Sequence, residues 1–157
     1  MKTHEPQYFI LRWNPNISSF KQESFDHVRK MLAATGDAGQ FDWSIYDWQK
    51  ARKGDIFIMQ KVGTDTDCIA MCGKFLTECF ADEDWNPDRN KKKAHYAYLE
   101  IDAMFEYDDR LSASALEQQF PSIDWHGGHS GVLISSEDGA GIMSVIDGVL
   151  KSDLGEE

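Results

Sequence analysis

The first apolar run of the chain reads Tyr8-Phe9-Ile10-Leu11-Arg12-Trp13, and the turn pair Asn14-Pro15 ends it. Aromatic and branched apolar residues in a short run closed by a turn signal predict a β-strand. A second run, Ile56-Phe57-Ile58-Met59, follows the turn Gly54-Asp55 and is apolar at every position, which predicts a central strand buried on both faces. A polar turn at 63–67 separates this run from the apolar stretch 68–76, so these two strands are predicted to pair as a hairpin.

The remaining periodic stretches predict one long strand and several helices. From His95 to Phe105, apolar residues at odd positions alternate with polar or aromatic residues at even positions, which indicates a strand with one core face. Helices are predicted after a capping box at Ser19 and Gln22, over 112–119 and over 138–150, and 81–94 is predicted to be a polar loop. The sequence therefore predicts the α+β class, with a mostly antiparallel pseudo-barrel of about five or six strands and three or four peripheral helices.

Length and composition bound the domain count and the compartment. The 157 residues are predicted to form one domain over 1–157, with a core at about 8–150 and an acidic tail at 151–157. Three cysteines without framework spacing indicate a reducing compartment rather than a disulfide scaffold. The first residues lack the apolar core of a signal peptide, and no apolar run is long enough to span a membrane, so the expected location is cytoplasmic.

The charge and the aromatic content constrain the possible partners. The chain carries 27 acidic and 16 basic residues, a net charge of −11, which disfavours tight sequence-independent binding to duplex nucleic acid. Aromatic residues make up 12% of the chain and include five tryptophans, so some rings are expected on a binding surface rather than in the core. Any affinity for nucleic acid must then come from a local patch or from a partner chain.

Two loop segments combine aromatic rings with hydrogen-bonding groups where the chain leaves or enters a strand. They are Trp13-Asn14-Pro15 and the stretch 124–131, and such loops on a rigid scaffold are typical of small-ligand sites. Tryptophan offers a flat stacking surface, while asparagine and serine offer donors and acceptors for the edge of a nucleobase. The candidate ligand-binding residues are Trp13, Asn14, Trp43, Ser44, Trp125, Ser130 and Gly131. The structural alternative is that the tryptophans fill the core and that Asn14 and Gly131 only shape turns.

The order of these segments resembles the PUA-like superfamily and, within it, the EVE-type domains. The similarity covers roughly residues 8–135 and rests on short motifs: Trp13-Asn14-Pro15, Phe41-Asp42-Trp43-Ser44, the basic-Gly-Asp turn at 52–55 before its strand, the strand 69–75 with its glycine, and the late segments Ile123-Asp124-Trp125 and Ser130-Gly131-Val132. The resemblance implies a pseudo-barrel that binds RNA or DNA. EVE-like members resemble readers of modified bases, which hold a flipped base in an aromatic-walled pocket.

Other residue groups suggest weaker alternatives. His126 and His129 could belong to a metal site, although zinc sites usually take three or four ligands at recognisable spacing. Cys68, Cys72 and Cys79 could add ligands or a nucleophile on paper. Cys68 and Cys72, however, sit in an apolar strand, and buried cysteine behaves mostly as a small hydrophobe. Two basic groups could contact phosphates beside the pocket, namely Lys50, Arg52 and Lys53, and Arg89, Lys91, Lys92 and Lys93.

Three functions from different classes follow from these features. The leading hypothesis is a non-enzymatic nucleic-acid-binding module, without a cofactor, that captures an ordinary or a modified base of DNA or RNA. The alternative is a protein-interaction or small-molecule-binding domain on the same barrel, which the net charge favours, and a separately encoded partner protein is possible in either case. The third hypothesis is a metal-dependent hydrolase centred on His126 and His129.

Overall fold

A computed structural model describes residues 5–83 and 93–153 of the chain. The described residues form seven strands, three α-helices and one short 3-10 helix. The strands are β1 (Tyr8–Trp13), β2 (Asp42–Ser44), β3 (Ile56–Lys61), β4 (Cys68–Phe75), β5 (Phe80–Glu83), β6 (Lys93–Met104) and β7 (Val132–Ile134). The helices are α1 (Gln22–Thr35), the 3-10 helix (Asp109–Leu111), α2 (Ala113–Gln119) and α3 (Ser136–Asp153).

The seven strands form one curled, mixed sheet. Six of them follow the order β2-β6-β4-β3-β1-β7, and β5 pairs with β6 beside this path. The pair β1–β3 is parallel, and the other ladders are antiparallel. Tyr46 N donates to Ser130 O at 2.8 Å and Asp47 N donates to Gly131 O at 2.9 Å. Because these bonds join the segment after β2 to the segment before β7, they tie the two ends of the strand path into a half-barrel.

Two hydrophobic cores lie on opposite faces of this sheet. Inside the curl, Phe9, Leu11 and Trp13 of β1 pack with residues of α1 and of the other strands. On the outer face, Ile10 of β1 and Ile58 of β3 pack under α2 and α3. Both faces of β1 and β3 are therefore buried, which explains why their sequences are apolar without alternation.

The long strand β6 changes its core face at a β-bulge. Its register with β4 skips from Cys72↔Ala103 to Gly73↔Ile101, so one extra residue lies between these pairs. Leu99 and Ile101 consequently join the inner core, while Ala103 and Phe105 pack in the outer one. The alternation in the sequence predicted a single core face for these apolar residues, and that prediction is wrong because the bulge reverses the alternation.

The α+β half-barrel with peripheral helices agrees with the predicted fold class. The sheet has seven strands rather than about five or six, because Phe80–Glu83 and the start of β6, predicted as part of a polar loop, pair with each other. Within the part of the chain that the structure describes, no helix is long and apolar enough to cross a membrane.

Candidate functional site

A cavity of about 600 Å³ opens where β1, β2, the start of β6 and the 128–130 loop meet. This volume falls in the range of about 300–1,000 Å³ that is typical of small-ligand pockets. Its wall includes Arg12 at the end of β1, Asn14 just after it, Trp43 and Ser44 of β2, and Ser130 before β7. Four of the sequence-predicted site residues, Asn14, Trp43, Ser44 and Ser130, thus lie on one cavity although they are far apart in the chain.

The hydroxyl of Ser130 organises the inner wall. Its Oγ accepts from Arg12 N at 2.9 Å and from Trp43 Nε1 at 3.0 Å. Trp43 is half-buried and stacks on Phe41 at a ring-centroid distance of 5.5 Å, which fixes the orientation of its indole. The position of each of these groups depends on the others, so the wall is held rigid before any ligand arrives.

The Arg12 side chain forms a fixed cation in this wall. Its Nη1 donates to Gln60 Oε1 at 2.8 Å, and its Nε donates to the carbonyl of His129 at 3.2 Å. Gln60 is itself fully buried and donates to the carbonyl of Trp125. Burial lowers the pKa of Arg12, and the nearby carboxylate of Asp124 opposes this shift. The guanidinium is therefore anchored on two sides in a partly desolvated position.

Exposed apolar and aromatic side chains surround the mouth of the cavity. Ile17, Tyr46 and Trp48 are 61%, 57% and 36% exposed, and all three line the cavity. Tyr46 stacks on His129 at a centroid distance of 3.9 Å, and Trp48 stacks on His95 at 3.6 Å, both nearly parallel. Solvent-exposed aromatic rings concentrated on one rim are typical of a binding surface. Tyr46, Trp48 and His95 were not among the ligand-binding residues predicted from the sequence. The position of Trp48 in the polar turn 46–50 is a feature of the sequence that could have indicated its exposure.

Two predicted pocket walls, Trp13 and Trp125, lie in the cores instead. Trp13 is completely buried, stacks on Phe25 at 5.0 Å and donates from Nε1 to the carbonyl of Phe20. Trp125 is 1% exposed in the outer core, and its Nε1 donates to the carbonyl of Phe120 at 3.0 Å. Neither ring has a face left for a ligand. The prediction that they wall the pocket is wrong because both hydrogen-bond and pack as core aromatics.

Gly131 has a structural role beside the site. Its backbone φ is +87°, and a Cβ atom there would lie 2.5 Å from the Cα of Ile45. The residue does not line the cavity, but its close approach to the 45–47 segment allows Ser130 to reach Trp43. The structure therefore does not place Gly131 in contact with a ligand in this cavity, and the residue instead helps to close the half-barrel.

The predicted phosphate-binding residues that the structure describes are not gathered at the cavity. Lys50, Arg52 and Lys53 are exposed and absent from its wall. Arg52 and Lys53 precede β3, at the end of that strand opposite the cavity, and their backbone N–H groups donate to Asp55 and Glu78. Arg89, Lys91 and Lys92 lie outside the described residues, as does the side chain of Lys93. Within the described part of the chain, Arg12 is the one arginine or lysine in the wall.

The two histidines of the 124–131 loop have separate partners. His126 Nε2 lies 2.7 Å from Glu117 Oε2 of α2, whereas His129 stacks on Tyr46. Among residues 5–83 and 93–153, no group of three or more histidine, cysteine, aspartate or glutamate side chains could hold a metal ion. Among these described residues, His126 and His129 therefore have no further ligands with which to form the hypothesised metal site.

The cysteines are poorly suited to act as nucleophiles. Desolvation, followed by the charges of Asp102 and Asp147, raises the pKa of the Cys72 thiol to about 12. Desolvation is also the main cause that raises the pKa of Cys79 to about 11 and that raises the pKa of Cys68. All three thiols are therefore protonated at neutral pH, and the thiolate is the reactive form.

We expect the His126–Glu117 contact to give a pH-dependent link between the loop and α2. The hydrogen bond and the charge of Glu117 raise the pKa of His126 above 6.5. Because the folded-state pKa is the higher one, the stabilisation is complete below the ordinary pKa and is lost as the pH rises through the raised value. An NMR titration of the His126 ring should show a midpoint above 6.5, and Glu117→Gln should lower it. An unchanged midpoint in that variant contradicts the assignment.

Comparison with known proteins identifies the fold. No protein-family model and no curated protein matches the chain. A hypothetical protein from Leishmania major superposes with a TM-score of 0.64 at 12% identity, over 93% of this chain and 98% of that one. The YTH domain-containing protein Mmi1, solved in complex with RNA, superposes with 0.58 at 13% identity, over 98% and 89%. A Pseudomonas syringae protein gives 0.58 at 17%, over 88% and 98%.

These superpositions show the fold. At such low sequence identity they do not show the function, which has to be argued from the site. The curled half-barrel with three helices is the architecture of the Mmi1 YTH domain structures. The sequence resemblance to the PUA-like superfamily thus predicted a related fold correctly.

Proposed function

We propose that this protein is a non-enzymatic nucleic-acid-binding module that captures one unpaired base in the cavity between β1 and β2. The observation that carries the proposal is the concentration of exposed aromatic side chains, Tyr46 and Trp48, on the rim of a cavity whose inner wall is polar. Flat rings stack on bases of any sequence, and fixed polar groups recognise their edges. The shared fold of the Mmi1 YTH domain, which was solved with RNA, supports this use of the scaffold.

The charge of the protein favours recognition of the base over recognition of the backbone. The net charge is −11, and the described part of the cavity wall contains one arginine and no lysine. Counterion release from many phosphate contacts is therefore a small part of the binding free energy. We expect weak binding to duplexes, preference for single strands, and a shallow dependence of log K on log salt.

Truncation of the rim aromatics tests the proposal. We expect Tyr46→Ala to weaken binding of a short single-stranded oligonucleotide by about five- to 150-fold, since one base–aromatic stack contributes about 1–3 kcal/mol. Fluorescence anisotropy of a dye-labelled RNA and of the DNA with the same sequence measures the effect. Tyr107→Ala is the matched control, because Tyr107 is similarly exposed at 47% and lies off this cavity. Equal affinities of the two variants, or no binding at low salt, contradict the proposal.

The finer form of the proposal is that the captured base carries a modification. Its support is the resemblance of Trp13-Asn14-Pro15, Trp43-Ser44 and the late Ser-Gly segment to EVE-type domains. Pairs of oligonucleotides that differ only in whether one base is modified test it in the same assay. The modified bases include 5-methylcytosine and 5-hydroxymethylcytosine. Equal affinities within every pair would contradict recognition of a modified base without contradicting base capture.

A second candidate function is binding of a small molecule or of a partner protein. The described wall without lysine favours it, because a backbone-binding rim is missing from the residues that the structure describes. A mononucleotide that binds as tightly as an oligonucleotide indicates a metabolite site. Saturable binding only to a protein partner, lost in Tyr46→Ala, indicates an interaction domain.

A further inference from the structure

Three side chains of the cavity wall, Arg12, Asn14 and Ser130, have unused hydrogen-bond donors. Asn14 Oδ1 accepts from Asn16 N at 2.9 Å, which orients the amide so that its Nδ2 group is the free end. Neither Asn14 Nδ2 nor Arg12 Nη2 hydrogen-bonds to any described residue, and neither is a fully buried atom. Asn14 Nδ2 lies beside Gly63 at the edge of the cavity wall. Two N–H groups fill the lone pairs of Ser130 Oγ, so its own proton is left to donate.

Several backbone acceptors on the same wall already accept a hydrogen bond. Five backbone carbonyls of wall residues already accept hydrogen bonds within the protein. The carbonyl of Arg12 accepts from Trp43 Nε1, and that of Asn14 accepts from two N–H groups of its turn. The carbonyl of His95 accepts from Ile45 N, that of His129 from Arg12 Nε, and that of Ser130 from Tyr46 N. The carboxylate of Asp42 also lines the cavity, but Asp42 is exposed. A ligand edge that faces the free donors of Arg12, Asn14 and Ser130 is matched by acceptors.

We infer that the captured base is a 6-oxopurine, guanine or hypoxanthine, whose O6 and N7 face Arg12, Asn14 and Ser130. This inference rests on the proposed base capture and specifies the base. The O6/N7 edge of guanine carries two acceptors and no donor, whereas the corresponding edge of adenine carries an N6 amino donor and that of cytosine an N4 amino donor. Uracil and thymine present the single acceptor O4 on this edge and have no counterpart of N7. An amino group turned to this wall meets N–H groups that cannot accept. Guanidinium paired with O6 and N7 is also the commonest base-specific contact that arginine makes.

Nucleoside monophosphates provide the direct test, because they share one phosphate and differ in the base. We expect GMP and inosine monophosphate to bind more tightly than AMP by about 5- to 150-fold, the range for one good bidentate contact. The 7-deaza analogue of GMP, which lacks the N7 acceptor, should lose part of this preference. Isothermal titration calorimetry with the complete chain measures all four affinities at one salt concentration.

The variant Asn14→Asp reverses the polarity of the wall with little change of shape. It retains the acceptor for Asn16 N and replaces the free NH2 group with a carboxylate oxygen, so we expect the preference for GMP over AMP to shrink or invert. Asn16→Asp adds the same charge on the same turn but lies off the cavity wall, so it controls for charge repulsion of the phosphate.

The outcomes separate the base identity from base capture itself. Preference for GMP that depends on N7 and on Asn14 supports the inference. AMP binding equal to or tighter than GMP binding, with loss in Tyr46→Ala, overturns the 6-oxopurine assignment and keeps base capture. No binding of any nucleotide or oligonucleotide overturns both.

Discussion

Trp125→Ala is expected to lower the free energy of unfolding by about 3–5 kcal/mol, the usual cost of truncating a buried aromatic residue. Trp125 is 1% exposed and packs in the outer core with Ile58 of β3 and Ile146 of α3. The substitution removes the hydrogen bond from Nε1 to the carbonyl of Phe120 and leaves a cavity between the sheet and α3. Urea denaturation followed by circular dichroism gives the change, with the midpoint shifting at a constant m-value.

A rim tryptophan provides the control for this effect. Trp48 is 36% exposed and belongs to the cavity mouth rather than to either core. Trp48→Ala should therefore change stability by less than about 1 kcal/mol, in line with surface substitutions, while it weakens ligand binding. Trp125→Ala should retain binding at temperatures where it is folded. If Trp125→Ala proves as stable as Trp48→Ala, the core assignment of Trp125 is wrong.

The contrast between Trp125 and Trp48 shows what local sequence can establish about a site. A tryptophan beside glycines in a loop and a tryptophan in a polar turn both suggest exposure. What decides between them is the surrounding tertiary structure, since the 120–125 segment folds back under α3 and the 46–50 turn does not. Asn14, Trp43, Ser44 and Ser130 were identified from residue type at strand ends, where a rigid scaffold places ligand-binding groups.

Arg12 shows a different limit. It is the one polar residue inside the β1 run, and strand periodicity puts it on the face opposite Leu11 and Trp13. Because both faces of β1 are covered, the periodicity does not reveal that this face reaches a cavity at the end of the strand. The partner that fixes the guanidinium, Gln60, lies 48 residues away and could be found only from the fold.

The strand predictions were most accurate in the long apolar runs. They were least accurate for strands that depend on hydrogen bonding to a neighbouring strand rather than on their own sequence. β5 contains little more than Phe80 as an apolar residue, and its strand form comes from the antiparallel ladder with β6. α3 contains Gly139, Gly141 and Gly148, and glycine has a low helix propensity. The structure keeps the helix because Gly139 lies against the ring of Tyr8, where a Cβ atom would be 2.1 Å from the ring. Close packing on β1 thus compensates for low helix propensity.

Gly131→Ala is expected to damage stability and the site together. The left-handed backbone at φ +87° costs an alanine about 1–2 kcal/mol. The added methyl group also lies 2.5 Å from the Cα of Ile45 and 2.8 Å from the N of Tyr46, which are backbone atoms that cannot rotate away. Relief of that overlap costs about 1–3 kcal/mol more. Differential scanning calorimetry should show a fall in Tm of about 2–4 °C for each kcal/mol.

The same loop contains a glycine that separates backbone strain from the clash. Gly128 also has a positive φ, +103°, but the atoms nearest to an added Cβ belong to the Arg12 side chain at 3.5 Å. Gly128→Ala should therefore show only the backbone cost. Gly131→Ala must in addition separate the 45–47 segment from the 130–131 segment, which lengthens the Tyr46–Ser130 hydrogen bond and pulls Ser130 away from Trp43. We therefore expect it to weaken ligand binding even at temperatures where the protein remains folded. Because Gly128 itself lines the cavity, the two variants are compared by their Tm, and equal falls in Tm would contradict the clash with the 45–47 segment.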